Sequence, residues 1–201
     1  MNPFLSIWLH PKQTTRYVIE HKTIVYTLIL LVLGYIGSGF SIFLNSALYP
    51  EFPYILIFLT VIIFAPIIGI IILFITTGIV FFVGKLLTGT GSFWELIKAY
   101  SLSCIPSIFL GPLYILWMFV SPESFFYPDE SSALAVIIGI CIVIIGIWSV
   151  VILIASVAES HQFSIVRSII TLIVPAFLLF ISIFGLIIIM ALIFVTLLGG
   201  I

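Results

Sequence analysis

The chain has 201 residues, 64% of them hydrophobic and only 6% charged, with six Lys/Arg against seven Asp/Glu and a formal net charge of −1. So few charges cannot cover the water-exposed surface of a soluble domain this size, so much of the apolar surface must face lipid. A near-neutral balance also excludes a nucleic-acid partner, which needs a basic stripe to displace counterions from phosphates.

The opening run MNPFLSIWLHPKQTTR lacks a basic segment leading into an apolar core and a small-residue cleavage site, so no removed signal peptide is expected. Phe4, Leu5, Ile7, Trp8 and Leu9 supply apolar bulk, and Pro11 suits a first helical turn. Lys12, Arg16 and Glu20 follow at four-residue spacing and share a helix face. The pattern predicts a short interfacial helix within residues 1–22, with Trp8 and the basic groups at headgroup level. Its expected role is an orientation anchor; the alternative is a docking surface.

A hydrocarbon core takes about 20 apolar residues per helix. Five such stretches follow, at approximately 23–45, 54–84, 93–120, 133–158 and 165–198. The expected fold is all-α, a single polytopic membrane bundle over residues 1–201 with five transmembrane helices. The second and fifth stretches, about 31 and 34 residues, would reach roughly 50 Å, so they must tilt, project or kink. Pro66 and Pro175 are the expected kink positions.

The connection between the second and third spans, Gly84 to Glu95, reads GKLLTGTGSFWE. Its glycines, lysine and hydroxyls are the ingredients of a phosphate loop, but Lys85 precedes the later glycines, the reverse of G-x-x-x-x-G-K-[ST]. No nucleotide and no other cofactor is expected. Ser92 and Glu95 instead form a capping box that starts a helix, on which Glu95 and Lys98 are spaced to pair.

The third span is interrupted by Ser101-Leu102-Ser103-Cys104-Ile105-Pro106 and by Gly111-Pro112. Ser101, Cys104, Pro106, Gly111 and Pro112 are therefore candidate kink or pathway residues. Small polar groups can satisfy the carbonyls that prolines leave free, and broken helices can also line a substrate route. Along the fourth span, Gly139, Gly146, Ser149, Ser156 and Ser160 fall on a seven-residue seam suited to close helix approach. Cys104 and Cys141 read as small buried hydrophobes.

With five spans, Lys12, Arg16, Lys22, Lys85, Lys98 and Arg167 all fall on one side, and Glu51, Glu123, Asp129 and Glu130 on the other. The positive-inside rule then predicts a multi-pass cell-membrane protein with a cytoplasmic N-terminus and an extracytoplasmic C-terminus. The candidate interaction face is Lys12, Arg16, Glu20, Lys85, Glu95, Lys98, Glu159, His161 and Arg167. Glu20, His21, Glu95, Glu159 and His161 would suit a divalent ion if gathered, but their spacing matches no ligand motif and no metal is expected. Every ionisable residue lies near a span end, which argues against an ion relay or acid–base catalysis inside the bilayer.

Four runs in this order resemble the Yip family, the Ypt-interacting-protein domain of five-span membrane proteins, in its short prokaryote-like form. They are Asn2-Pro3-Phe4 through Trp8 to Pro11-Lys12, Gly89-Thr90-Gly91-Ser92-Phe93, Tyr100-Ser101 to Ile105-Pro106, and His161 to Ser164. The resemblance implies a cytosolic N-terminus and no established catalytic activity. Eukaryotic relatives associate with Rab-type GTPases and with one another during vesicle traffic. About 22 residues precede the first span here, where those relatives have a long N-terminal region, so the resemblance is carried over as architecture rather than as a GTPase partner. The expected role is non-enzymatic: organising a protein partner on the cytoplasmic face, or a second copy, within the lipid bilayer. The alternative is transport or lipid handling through the broken third span.

Overall fold

Asn2, Thr23, Ser92 and Ser132 each accept a backbone N–H through a side-chain oxygen and start a helix at that point. In the computed structural model, which describes residues 1–198, the chain is accordingly helical, without a strand among those residues. Two short helices open it, α1 (Pro3–Ser6) and α2 (Pro11–His21). Next come α3 (Ile24–Gly39), prolonged by a 3-10 turn over Phe40–Phe43, and α4 (Tyr54–Leu86). Then α5 (Phe93–Ser103), α6 (Ile105–Ile108) and α7 (Leu110–Val120) form a broken rod, and α8 (Pro122–Phe126) caps its end. The chain closes with α9 (Ala133–His161) and α10 (Ile165–Leu198).

Three helical stretches are long and apolar enough to cross a membrane: Ile24–Phe43, Tyr54–Leu86 and Ala133–His161. The rod from Phe93 to Val120 qualifies when taken as one element, bent by 43°. The last helix, α10, runs for 34 residues. Pro66 lies inside α4 and Pro175 inside α10, and both helices continue past them. Outward residues such as Ile62, Phe64, Ile71, Val143 and Ile147 are exposed apolar side chains, as a lipid-facing surface requires.

The bend in the rod is satisfied locally. The Ser101 hydroxyl donates to the Lys98 carbonyl at 2.6 Å and that of Ser103 to the Tyr100 carbonyl at 2.7 Å. Glycines of α3 pack closely against it: a Cβ on Gly34 would lie 2.7 Å from that of Cys104, and one on Gly37 would run into the Ser107 carbonyl. Gly111 faces Gly37 in turn. This close approach differs in place from the expected seam on α9. Gly139 and Gly146 have only open space where a Cβ would stand, whereas Ser156 and Ser160 are buried. A seven-residue repeat marks one helix face, but that face of α9 turns into the bundle only from Ser149, whose hydroxyl is buried, onward.

At the acidic end, Phe40, Phe43, Tyr114, Trp117, Phe125 and Phe126 make an aromatic core. The Trp117 Nε1–H donates to Ser124 Oγ at 2.9 Å, so its polar edge is not orphaned. The amides of Asn45 and Ala47 donate to the carbonyls of Phe125 and Phe126, tying the loop after α3 to α8.

Candidate functional site

The basic end of the bundle begins with α2, whose apolar side is buried rather than laid on lipid: Thr14, Thr15 and Val18 are inaccessible, as is Ile7 before them. They rest on α9 and α5. Thr15 Oγ1 donates to the Pro11 carbonyl at 2.8 Å and is also 2.8 Å from Ser156 Oγ, so Ser156 supplies the proton of the second bond. One turn on, Arg16 Nε and Nη2 both lie 2.6 Å from Glu159 Oε1. The arginine side chain is 61% exposed and the glutamate side chain 9%, so the arginine reaches in from the surface to neutralise a nearly buried charge. Lys98 Nζ donates to the Ile19 carbonyl at 2.8 Å, a cation at the C-terminal turn of α2.

That last contact replaces the expected Glu95–Lys98 pair. The Glu95 carboxylate turns back to accept the Ser92 amide at 2.7 Å, and Ser92 Oγ accepts the Glu95 amide at 3.3 Å, completing the capping box. With its carboxylate engaged there, Glu95 leaves Lys98 to α2.

The glycine-rich connection has a defined use. At the end of α9, beyond the apolar stretch, Gln162 takes left-handed backbone angles and stops the helix, while the Phe163 amide returns to the Ala158 carbonyl at 2.7 Å. This holds His161 against the connection, where it is 1% exposed. A Cβ on Gly84 or on Gly89 would overlap the imidazole, and one on Gly91 would lie 2.5 Å from the Ser160 carbonyl oxygen. The three glycines therefore form a cradle that only a residue without a side chain permits. Phe163 stacks on the ring, centroids 5.0 Å apart. Neither ring nitrogen has a hydrogen-bond partner among the described residues. Burial pushes the His161 pKa below its ordinary value; the Lys85 charge acts in the same direction and Glu95 opposes both.

Two adjoining clefts lie between α2 and the end of α9, the first also bounded by the connection. One, of about 300 Å³, is lined by Arg16, Glu20, Thr90, Glu95, Glu159 and Gln162 among others. The second, of about 540 Å³, is lined by Lys12, Gln13, Arg16, Tyr17, Glu20 and Glu159 together with His21. Of the sequence-predicted face, Lys12, Arg16, Glu20, Glu95 and Glu159 thus converge. Lys85 Nζ donates to the Thr90 carbonyl at 3.2 Å, His161 lies beneath the connection, and Arg167 stands exposed on the first turn of α10. Among the described residues, no three His, Cys, Asp or Glu side chains gather as metal ligands. In the bent rod, Ser101 and Pro106 are buried, Gly111 packs on Gly37, Cys104 packs on Gly34, and Pro112 lies in the first turn of α7.

Sequence reasoning passed over Thr15 and Ser156 as partners, and over Gly84, Gly89 and Gly91 as the housing of one imidazole. Thr14, Thr15 and Val18 do fall on the face of α2 opposite its charges, a legible mark of a buried side. The glycine–histidine pairing spans residues seventy or more positions apart and leaves no local signal.

The model of the Yip1 domain family matches residues 5–187 of the chain. No curated protein and no solved structure matches it.

Proposed function

The chain belongs to the Yip1 domain family, and on that premise we propose that it is a non-enzymatic, five-span membrane protein that organises a partner through its basic end. In this reading the N-terminus and the glycine connection face the cytoplasm, α10 is the fifth crossing, and α1 with Trp8 seats the N-terminal segment in the headgroup zone. The observation that carries it is the fixing of α2, α5 and the end of α9 into one polar surface. Arg16–Glu159, Thr15–Ser156 and Lys98 on the α2 carbonyls pin three distant parts of the chain together at one end. Such a surface offers polar side chains in fixed positions, which lowers the ordering cost of recognition. The occupant it suits is a protein segment or a second copy of this chain.

The packing of the bent rod supports this reading over transport: Cys104, Ser107 and Gly111 at the bend lie in close contact with glycines of α3. A photoreactive residue in place of Gln13 or Glu20 tests the proposal. A reproducible crosslinked partner or self-adduct is expected, lost on Arg16→Glu while the bundle stays folded. Movement of lipid or solute by purified protein in liposomes, abolished by Pro106→Ala in a folded variant, would overturn it in favour of transport.

A further inference from the structure

His161 stands out because a buried imidazole ordinarily spends at least one nitrogen on a hydrogen bond, and here both are unpartnered among the described residues. The ring is held by shape alone, filling the space left by Gly84, Gly89 and Gly91 and stacked on Phe163. A neutral ring tolerates that enclosure at the cost of one unmet N–H. An imidazolium would bring two unmet donors and a full charge, for which an enclosed pocket offers no compensation.

The charged groups around the ring do not remove this penalty. Lys85, on the last turn of α4, repels the imidazolium. From α5, Glu95 attracts it, but its carboxylate already accepts the Ser92 amide. On α9 itself, Glu159 is held by Arg16 of α2, and Arg167 at the start of α10 is exposed. The residues between α4 and α5, Leu87 to Ser92, contribute Thr88 and Thr90 but no charge.

The direct backbone and side-chain ties of the connection to the end of α9 are weak. The Thr90 amide and hydroxyl both reach the His161 carbonyl at 3.3 Å, and Ser160 Oγ reaches the Glu95 carbonyl at 3.4 Å. All three are at the long end for hydrogen bonds. Relief of a charged His161 therefore comes most easily by moving the connection, not by disturbing α9.

We propose that His161 is a protonation-controlled latch: neutral, it seats the α4–α5 connection on the end of α9; protonated, it drives the connection off and opens the cleft lined by Thr90, Glu95 and Glu159. The opening brings bulk water to the imidazolium and widens the polar surface next to α2. The latch is independent of which partner, if any, that surface receives.

The test is hydrogen exchange of the peptide covering 84–95 in protein reconstituted into lipid nanodiscs, from pH 8 to pH 5, corrected for intrinsic exchange. Protection is expected to fall by up to about tenfold per pH unit within the titration window of one proton. The peptide covering 145–155 of α9 should stay protected, and His161→Phe should flatten the profile. Equal protection across the range, or the same fall in His161→Phe, overturns the latch. Nitrogen-15 histidine spectra of the His10→Gln, His21→Gln background provide a readout that keeps His161 itself intact. Its ring must titrate in the window where the connection opens, and titration elsewhere overturns the proposal as well.

Discussion

Arg16 and Glu159, separated by 143 positions, meet at 2.6 Å, the first on the second helix of the chain and the second on the last turn of α9. The bond joins an exposed cation to an almost buried anion, so its two halves are not equivalent. Arg16→Ala strands a carboxylate, while Glu159→Ala releases a side chain already in water.

Unequal costs follow for the two variants. Arg16→Ala should lower unfolding free energy by about 1–2 kcal/mol, the range of a charge-assisted hydrogen bond with part of it screened by solvent. Glu159→Gln, which keeps shape and removes the charge, should cost less. Thermal unfolding in nanodiscs measures both, and hydrogen exchange of residues 11–21 localises the loss. Equal costs would mean that the pair is a surface contact and α2 is held by Thr15, Val18, Ile7 and Lys98 without it.

The cradle predicts coupling between residues far apart in sequence. Gly84→Ala inserts a methyl into the His161 ring and should destabilise by about 1–3 kcal/mol, the usual cost of overpacking. In a His161→Ala background the same change should cost markedly less, because the space it needs has been vacated. A double-mutant cycle on thermal stability gives the coupling directly; additive effects would show that Gly84 serves the turn and not the ring.

Much of this architecture is legible in the sequence, and the reasons are local. Ser92 and Glu95 announce a helix start because a capping box uses residues three apart. Pro106, Gly111 and Pro112 announce a broken rod because each acts on its own turn. The site is less legible because it is assembled across the chain. Lys98 looked matched to Glu95 by spacing, yet the backbone amide of Ser92 claimed that carboxylate and the carbonyl of Ile19 claimed the lysine. Likewise the α9 seam was a sound reading of a helix face, but a helix face does not say which neighbour stands before it.

His161 gives stability a pH dependence whose sign follows from its lowered pKa. The unfolded chain keeps the ordinary value of 6.5 and the folded chain a lower one, so below pH 6.5 the unfolded state binds more protons. Stability is therefore full above that value and declines as pH falls toward the folded pKa, by at most about 1.4 kcal/mol per pH unit. Melting temperature in nanodiscs between pH 8 and pH 5 checks this, with His161→Phe losing the component. A rise in stability on acidification would contradict the assignment.

Glycines on α3 and α9 should respond in opposite ways. Gly37→Ala places a methyl against the Ser107 carbonyl, where two helix backbones touch, and should cost 1–3 kcal/mol or about that. Gly139→Ala and Gly146→Ala meet nothing within 4 Å in the single chain, so they should leave its stability unchanged or slightly raised. The two α9 positions therefore separate packing within one chain from packing between chains. If native mass spectrometry finds an oligomer that Gly139→Ile and Gly146→Ile dissociate while the monomer stays folded, that open face is where copies meet.

The placement of both ends can be read in intact cells. Asp129 lies on the loop between α8 and α9, at the end where Glu51, Glu123 and Glu130 collect, and Thr90 lies on the glycine connection among the cations. If the cations face the cytoplasm, a cysteine at Asp129 should react with an impermeant maleimide added outside, and one at Thr90 should react only after permeabilisation. Cys141 lies within α9 and Cys104 at the junction of α5 and α6, so replacing both with Ala gives the clean background and the folded control. The inverse pattern would place α2 and its Arg16–Glu159 bond outside the cell, and the surface proposed to organise a partner would then face extracellular ligands instead.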